Sequence, residues 1–200
     1  MNCPDPTQQA TRADPPRPSA LAVGCVESSS IARGIEAADA MLKAAAVQLL
    51  ACNPVCPGKY IIMVGGLTAE VQSAVRAGEA VASDTLVDTT VIPRIHPQVI
   101  EAFTAATAPE QVAAIAMIET FSLVASVLAG DAAVKAARVD LLEIRLARAL
   151  GGKAYALWTG EVSAVRAALE AGERAARENG LMLGATLIPA PHPDLLPRLL

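Results

Sequence analysis

Apolar and polar positions along the chain predict the order strand, helix, strand, strand, helix, strand, and then the same series again. In the first half, the predicted strands are the short apolar runs 21–26, 47–51, 60–64 and 86–92. After the first of these, Ile31, Ile35 and Leu42 recur at helical spacing behind the serines 28–30, whose hydroxyls can cap a helix. Two βαβ-like halves joined by a hairpin predict an α/β fold of the α+β kind. We expect a short, open antiparallel sheet with helices on one face, in the ferredoxin-like manner.

The second half of the chain repeats the first. Glu27 falls on Glu119 without a gap, and the match closes with the motif Ile-Pro-x-x-His-Pro at 92–97 and again at 188–193. A repeat of this length predicts two domains, each near the common domain size. The predicted ranges are 1–19 for a flexible, proline-rich tail, 20–108 for the first domain and 112–200 for the second.

The two copies differ most in the loop between the second and third predicted strands. The first copy reads Cys-Asn-Pro-Val-Cys-Pro-Gly-Lys over 52–59, whereas the longer counterpart, 145–153, has no cysteine. The chain has four cysteines and its N-terminus lacks a basic-then-apolar signal pattern, so we expect a cytosolic protein with thiols or metal ligands. We expect Cys25 to be a packing residue, and Cys52 to end its strand as another.

Composition narrows the classes of function. Apolar residues make up 53% of the chain but aromatic residues only 2%, which suits thin layers and close subunit contact better than a roomy pocket. We therefore expect an oligomer. The net charge is −4 and there are no basic runs, so nucleic-acid binding has little support. No uncharged stretch is long enough to predict a membrane span.

The sequence offers no catalytic constellation. The two histidines, His96 and His192, occupy equivalent positions of the repeat and are each followed by proline, which favours a structural role at the exit of a strand. The glycine pairs at 65–66 and 151–152 do not continue into a phosphate-binding motif. We predict that the protein is not an enzyme.

Specific motifs in the first half occur together: Val-Gly-Cys-Val-Glu-Ser at 23–28, Gly-x4-Asp-Ala-Met-x-Lys-x-Ala at 34–45, Gly-Lys at 58–59 and Val-Ile-Pro-Arg-x-His at 91–96. In this combination they resemble the bacterial microcompartment (BMC) shell domain, and the resemblance covers both copies in unpermuted order. The tandem arrangement is similar to the trimeric shell proteins, in which three two-domain chains imitate a six-domain hexamer. The resemblance implies a homotrimeric, pseudohexameric tile that assembles with other BMC shell proteins in the wall of this cytoplasmic organelle.

The segment from Cys56 to Gly66 is most similar to the tandem shell proteins of propanediol-utilisation microcompartments. In these proteins the matching cysteine from three subunits holds an iron–sulfur cluster at the central pore. The resemblance therefore implies one [4Fe-4S] cluster per trimer and electron transfer to a lumenal or cytosolic redox partner. Three thiolates can hold a four-iron cluster, whereas Cys52 and Cys56 of one chain are too few ligands. The alternatives are an unligated pore thiol, in a pore for small polar metabolites, and a purely structural tile.

The resemblance also implies which residues line the pore and which lie at the tile edge. The expected pore-lining residues are Val55, Cys56, Pro57 and Gly58 of the first copy and Ala149, Leu150, Gly151 and Gly152 of the second. The expected edge residues are Lys43, Lys135 and Arg94, and Ala190 replaces the arginine in the second copy. Without the resemblance, each lysine reads as half of an ordinary Asp–Lys pair on the exposed side of a helix, at 39 and 43 and at 131 and 135.

Overall fold

Two four-stranded antiparallel sheets, one in each half of the chain, form the frame of the computed structural model. The structure describes residues 22–104, 112–145, 151–178, 181–195 and 199. The predicted tail over 1–19 and two predicted pore residues, Ala149 and Leu150, lie outside the described residues. The first half consists of β1 (Ala22–Ser28), α1 (Ile31–Ala44), β2 (Gln48–Val55), β3 (Lys59–Gly66), α2 (Thr68–Ala82) and β4 (Leu86–Ile92). The second half, after α3 (Pro97–Thr104), consists of β5 (Ala114–Thr120), α4 (Leu123–Ala136), β6 (Asp140–Arg145), β7 (Ala154–Gly160), α5 (Val162–Arg177) and β8 (Met182–Pro189).

Both sheets have the same strand order. It is β2-β3-β1-β4 in the first half and β6-β7-β5-β8 in the second, and neighbouring strands are antiparallel in both sheets. The first strand of each half is therefore central, and the strand that follows the first helix lies at the edge. The series strand, helix, strand, strand, helix, strand is confirmed in both halves.

Helix α1 begins where the serines predict it. Ser30 is in extended conformation, and its hydroxyl accepts a hydrogen bond from the backbone N–H of Arg33 at 3.3 Å. Ser122 caps α4 in the same way. The buried face of α1 is made of small residues and one methionine, namely Gly34, Ala37, Ala38 and Met41. The bulky stripe that predicts the helix, which includes Ile35, lies instead on its exposed side.

Gly34 brings helix α1 unusually close to the sheet. A Cβ atom at this position would lie 2.4 Å from Cβ of Tyr60 on β3, so the helix can pack at this distance only with glycine. Close packing of this kind explains how a chain poor in aromatic residues fills its core.

Strand β2 is longer than the sequence predicts. It continues through Pro54 to Val55, and Pro54 pairs with Tyr60. A strand interior normally excludes proline because the residue has no N–H to donate, but an edge strand tolerates it. The prediction that Cys52 ends the strand is therefore wrong, since Cys52 lies in its middle.

Helix α3 connects the two halves and was not predicted. It begins with Pro97 at the first helical position, a common helix start, and it packs against β6 and α4 of the second half. Val99 and Ala102 on this helix are buried in a core that contains residues of both halves. The side-chain amide oxygen of Gln98 accepts a hydrogen bond from the backbone N–H of Leu141 at 2.9 Å. The two domains thus share one apolar interior. Within the described ranges, no helix is long and apolar enough to cross a membrane.

Candidate functional site: the cysteine turn and the domain junction

The turn between β2 and β3 presents Cys56 at the surface. The N–H of Gly58 donates to the carbonyl oxygen of Val55 at 3.0 Å, and Gly58 has a φ of 100°, a conformation that favours glycine. Cys56, Pro57 and Gly58 are exposed, and the Cys56–Pro57 peptide is cis. Val55 differs from them, because its side chain is buried in the core that spans both halves.

The structure brings this turn against the corresponding loop of the second domain. A Cβ atom on Gly152 would lie 2.9 Å from Cδ of Pro57 and 3.6 Å from the carbonyl oxygen of Cys56. Gly152 has a φ of 86°, and Gly151, which is exposed, has a φ of 61°. Four of the predicted pore residues therefore lie next to each other at the domain junction: Cys56 and Pro57 of the first loop and Gly151 and Gly152 of the second.

Lys59, the first residue after the turn, contacts both domains. Lys59 Nζ donates to Glu27 Oε1 at 2.7 Å and to the carbonyl oxygen of Phe121 at 2.6 Å, and lies 3.5 Å from the carbonyl oxygen of Gly152. The other carboxylate oxygen of Glu27 accepts from the N–H of Leu123, at the start of α4, at 2.9 Å. A buried ion pair is favourable only when further hydrogen bonds complete it, and here both partners have them. We call the contact made by Glu27 and Lys59 on the second domain the junction clamp.

Further polar contacts extend the junction on both sides of the clamp. Asp88 on β4 is buried and accepts from the hydroxyl of Ser122 at 2.5 Å. The backbone N–H of His96 donates to Asp131 on α4 at 2.9 Å, and Asp131 also pairs with Lys135 at 2.5 Å. The sequence analysis did not predict this junction. The only sign of it in the sequence was that Glu27 and Lys59 are the same residues as Glu119 and Lys153 at the equivalent positions of the second copy.

The Asp–Lys pairs of the two copies have different surroundings. Asp39 and Lys43 are both exposed, as the sequence predicts. The prediction that the second pair also lies on an exposed side is wrong for Asp131, because the first domain covers it, while Lys135 remains partly exposed. Arg94 is exposed and has a φ of 52°. The role of these residues at a tile edge stays a prediction.

The three described cysteines differ in exposure. Cys25 on β1 is fully buried, and burial, followed by the charges of Asp88 and Glu27, raises the pKa of its thiol to about 12. Cys52 is partly buried, with its sulfur 3.3 Å from the hydroxyl of Tyr60, and this hydrogen bond is the main cause that raises the pKa of Tyr60 to about 12. Cys56 is the exposed one. A thiol that stays protonated is a poor metal ligand, so Cys25 fits a packing role.

One chain does not provide a complete set of metal ligands in the part that the structure describes, where no group of three His, Cys, Asp or Glu side chains converges. What the donor chemistry offers is a single accessible sulfur, Cys56, on a turn at the domain junction. This arrangement fits an iron–sulfur cluster only if several chains bring their turns together, because such clusters are held by multiple thiolates.

Two copies of a βαββαβ domain, joined by a polar junction and a shared core, define a tandem-domain protein. The chain belongs to the BMC domain family, whose model matches residues 22–95 and 114–191, one match in each half.

Known proteins match either most of this chain or about one of its two halves. It is 41% identical over 174 residues to the bacterial microcompartment shell protein PduT of Citrobacter freundii, covering 87% of this chain and 95% of that protein. A solved structure of a microcompartment protein from Desulfitobacterium hafniense is 47% identical, with a TM-score of 0.79, over 90% of this chain and 99% of that one. The shell protein EutM of Salmonella typhimurium is 45% identical over 82 residues, which is 41% of this chain and 83% of EutM.

Proposed function

We propose that this chain is a structural shell protein of a bacterial microcompartment, and that three copies form a homotrimeric tile with a central pore. Membership of the BMC family and the similarity to PduT over most of both chains support the shell role. Six domains in a ring would place the cysteine turn of each chain next to the glycine loops on either side of it. The observation that carries this proposal is the contact of the Cys56–Pro57 turn with Gly152, which sets two such loops side by side within one chain.

The pore of this trimer would hold a [4Fe-4S] cluster through Cys56. Three chains supply three thiolates, and these hold three of the four irons, so that the remaining iron is open to solvent or to another ligand. The exposure of Cys56 supports this role, and the burial of Cys25 argues against that residue as a ligand. A cluster bound at the pore would supply one-electron transfer between the two faces of the shell, with a redox partner on one of them.

The test is the colour and iron content of the protein purified without oxygen. We expect brown protein with broad absorption near ~400 nm, typical of thiolate-bound iron–sulfur clusters, and iron and sulfide in proportion to the trimer. Cys56→Ser should abolish the colour. Cys52→Ser is the matched control, because Cys52 is partly buried beside Tyr60, and it should keep the colour.

The mass of each variant in solution separates loss of the cluster from loss of the assembly. Colourless Cys56→Ser trimers beside brown wild-type trimers support the cluster at this residue. Colourless, iron-free wild-type trimers would overturn the cluster proposal while leaving the shell role, and the protein would then be a tile with a pore for small polar metabolites or with a closed centre. Wild-type protein that forms no trimer would overturn the tile itself.

A further inference from the structure

Gly152 of the second domain lies directly against the turn that presents Cys56. Gly152 is buried, whereas the preceding Gly151 is exposed. A Cβ atom on Gly152 would lie 2.9 Å from Cδ of Pro57 and 3.6 Å from the carbonyl oxygen of Cys56, while a Cβ atom on Gly151 would meet nothing within 4 Å. The two consecutive glycines therefore have different surroundings, and it is Gly152 that touches the cysteine turn.

The Pro57 atom that Gly152 faces is not free to turn aside. Cδ of proline is bonded to the backbone nitrogen, unlike the end of a flexible side chain. A Cβ atom at position 152 would push this ring from 2.9 Å to a normal contact of about 3.4 Å, which is a shift of about 0.5 Å. The peptide that joins Pro57 to Cys56 moves with the ring, so the shift reaches the cysteine.

The loop of the second domain is held from behind and does not retreat in place of the turn. Lys59 Nζ lies 3.5 Å from the carbonyl oxygen of Gly152 and is itself bound to Glu27 at 2.7 Å. Strand β7 begins two residues later at Ala154, which is 1% exposed and pairs with Thr120 in the middle of the sheet. A side chain at position 152 would therefore displace the exposed turn rather than the buried loop.

We infer that Gly152 is a positioning residue for Cys56, because the position of the cysteine turn depends on having no side chain at 152. The inference rests on the proposed function for the cluster that Cys56 holds, and it adds a residue of the second domain to that site. Ligand residues must keep within about 0.5 Å of the productive geometry. The displacement that a Cβ atom would cause is of this size, so one methyl group is enough to move the thiol out of place.

The repeat separates this role from the conformational role of glycine. Gly58 is the repeat of Gly152, and it also has a positive φ, of 100°. A Cβ atom on Gly58 would meet nothing within 4 Å of it in the chain. Both positions favour glycine for their backbone conformation, but the close contact with the cysteine turn is made by Gly152.

One displaced turn would affect the whole cluster site. Cys56 is the exposed cysteine of the three that the structure describes, so no second thiol of the chain can take its place. In the proposed trimer the same substitution is present three times, and all three sulfurs move away from the positions that fit one cluster.

The experiment compares the iron content per chain of proteins purified without oxygen. Gly152→Ala should lower it about tenfold, since changing the residues that support metal ligands costs about 10–100-fold in metal affinity. The circular dichroism spectrum and the mass in solution should match those of wild type, because the three atoms nearest to the new methyl group all belong to the turn.

Two further variants separate the contact from backbone strain. Gly151→Ala is the matched control, because Gly151 also has a positive φ, of 61°, but has open space for a methyl group within one chain, and it should keep its iron. Gly152→Asn adds a Cβ atom with less backbone strain, because asparagine adopts left-handed conformations more readily than alanine does. It should lose iron as Gly152→Ala does, and it serves as the test if Gly152→Ala does not fold.

Removing the other side of the contact should restore the site. Pro57→Ala deletes the ring atoms that a Cβ atom on residue 152 would meet. The double variant Gly152→Ala/Pro57→Ala should therefore bind most of the iron that Pro57→Ala binds alone. A second readout needs no cluster: in urea unfolding of the iron-free proteins, the double variant should lose less of the midpoint than the two single losses combined.

Each outcome bears on one of the two proposals. Full iron in Gly152→Ala, or equal losses in Gly151→Ala with no recovery in the double variant, would overturn the positioning role and leave the cluster at Cys56. If wild type binds no iron, the cluster proposal is overturned and the urea midpoints decide the positioning role. A double variant that loses less than the sum then supports the contact between Gly152 and the cysteine turn, and additive losses refute it.

Discussion

The junction clamp makes a quantitative prediction, because the repeat provides the same ion pair in two environments. Glu27→Gln keeps the shape of the side chain and an oxygen that can still accept from Leu123, but it removes the negative charge beside Lys59 Nζ. Lys59 is then left at a largely buried site with only carbonyl oxygens as partners. Loss of one partner of a buried ion pair costs about 3–5 kcal/mol. Because Lys59 keeps two carbonyl acceptors and some contact with solvent, we expect a value near the lower end, about 3 kcal/mol.

Glu119 and Lys153 are the repeats of Glu27 and Lys59, and they form an ion pair at 3.1 Å in which both side chains are about half exposed within one chain. Glu119→Gln removes this repeated pair. Exposed pairs contribute about 0–1 kcal/mol because water screens both charges. The two substitutions are chemically identical and occupy equivalent positions of the two domains, so the difference between them measures the effect of burial at the junction.

The assay is urea unfolding at neutral pH, followed by circular dichroism, with wild type and both variants compared at the same protein concentration. The expected result is a large loss of unfolding free energy for Glu27→Gln and a loss within about 1 kcal/mol for Glu119→Gln. Equal losses would refute the claim that the clamp is stabilised by its burial between domains. A transition that splits into two steps for Glu27→Gln alone would show that the domains unfold separately once the clamp is weakened.

Two further predictions concern the outer surface and the buried thiol. Lys43→Ala should leave the trimer intact but impair the assembly of trimers into sheets seen by electron microscopy, because Lys43 is exposed and its ion pair with the exposed Asp39 is worth only tenths of a kcal/mol. Unchanged sheets, or loss of the trimer, would contradict an edge role, and Arg33→Ala on the same helix is the control. Since the pKa of Cys25 rises from 9.0 to about 12 on folding, the neutral thiol stabilises the fold below pH 9, and this stability is lost as the pH rises from 9 towards 12. Unfolding free energy between pH 8 and 10.5 should therefore fall more steeply for wild type than for Cys25→Ala, and equal slopes would contradict the assignment.

The order of elements could be predicted from the sequence because strands and helices here have clear periodic patterns and are set apart by serine caps, glycines and prolines. Which face of α1 packs against the sheet could not be predicted in this way. This helix is apolar on two sides, a small side around Gly34 and Ala38 and a bulky side that includes Ile35, and the spacing of its residues does not tell which side meets the sheet. Only the close approach of the helix to Tyr60 selects the small side.

The junction between the two domains could not be predicted from the sequence for a different reason. Glu27 and Lys59 are far apart along the chain, and their partners on the second domain are mainly backbone groups, which have no sequence signature. Helix α3 could not be predicted because it is short and begins at the last proline of the repeated Ile-Pro-x-x-His-Pro motif, a motif that indicates the exit of a strand. Its packing on the second domain is what turns two similar domains into one body with a shared core.

Some functional positions hold the same residue in both domains, and others differ between them. Glu27 serves a contact between the two domains of the chain, whereas its repeat Glu119 is partly exposed within one chain. Asp88 and Cys56 are not shared, since Gly184 and a cysteine-free loop replace them in the second domain. A duplicated chain can thus have different residues at two equivalent positions, such as a cysteine in one loop and none in the other, which a ring of six identical domains cannot do.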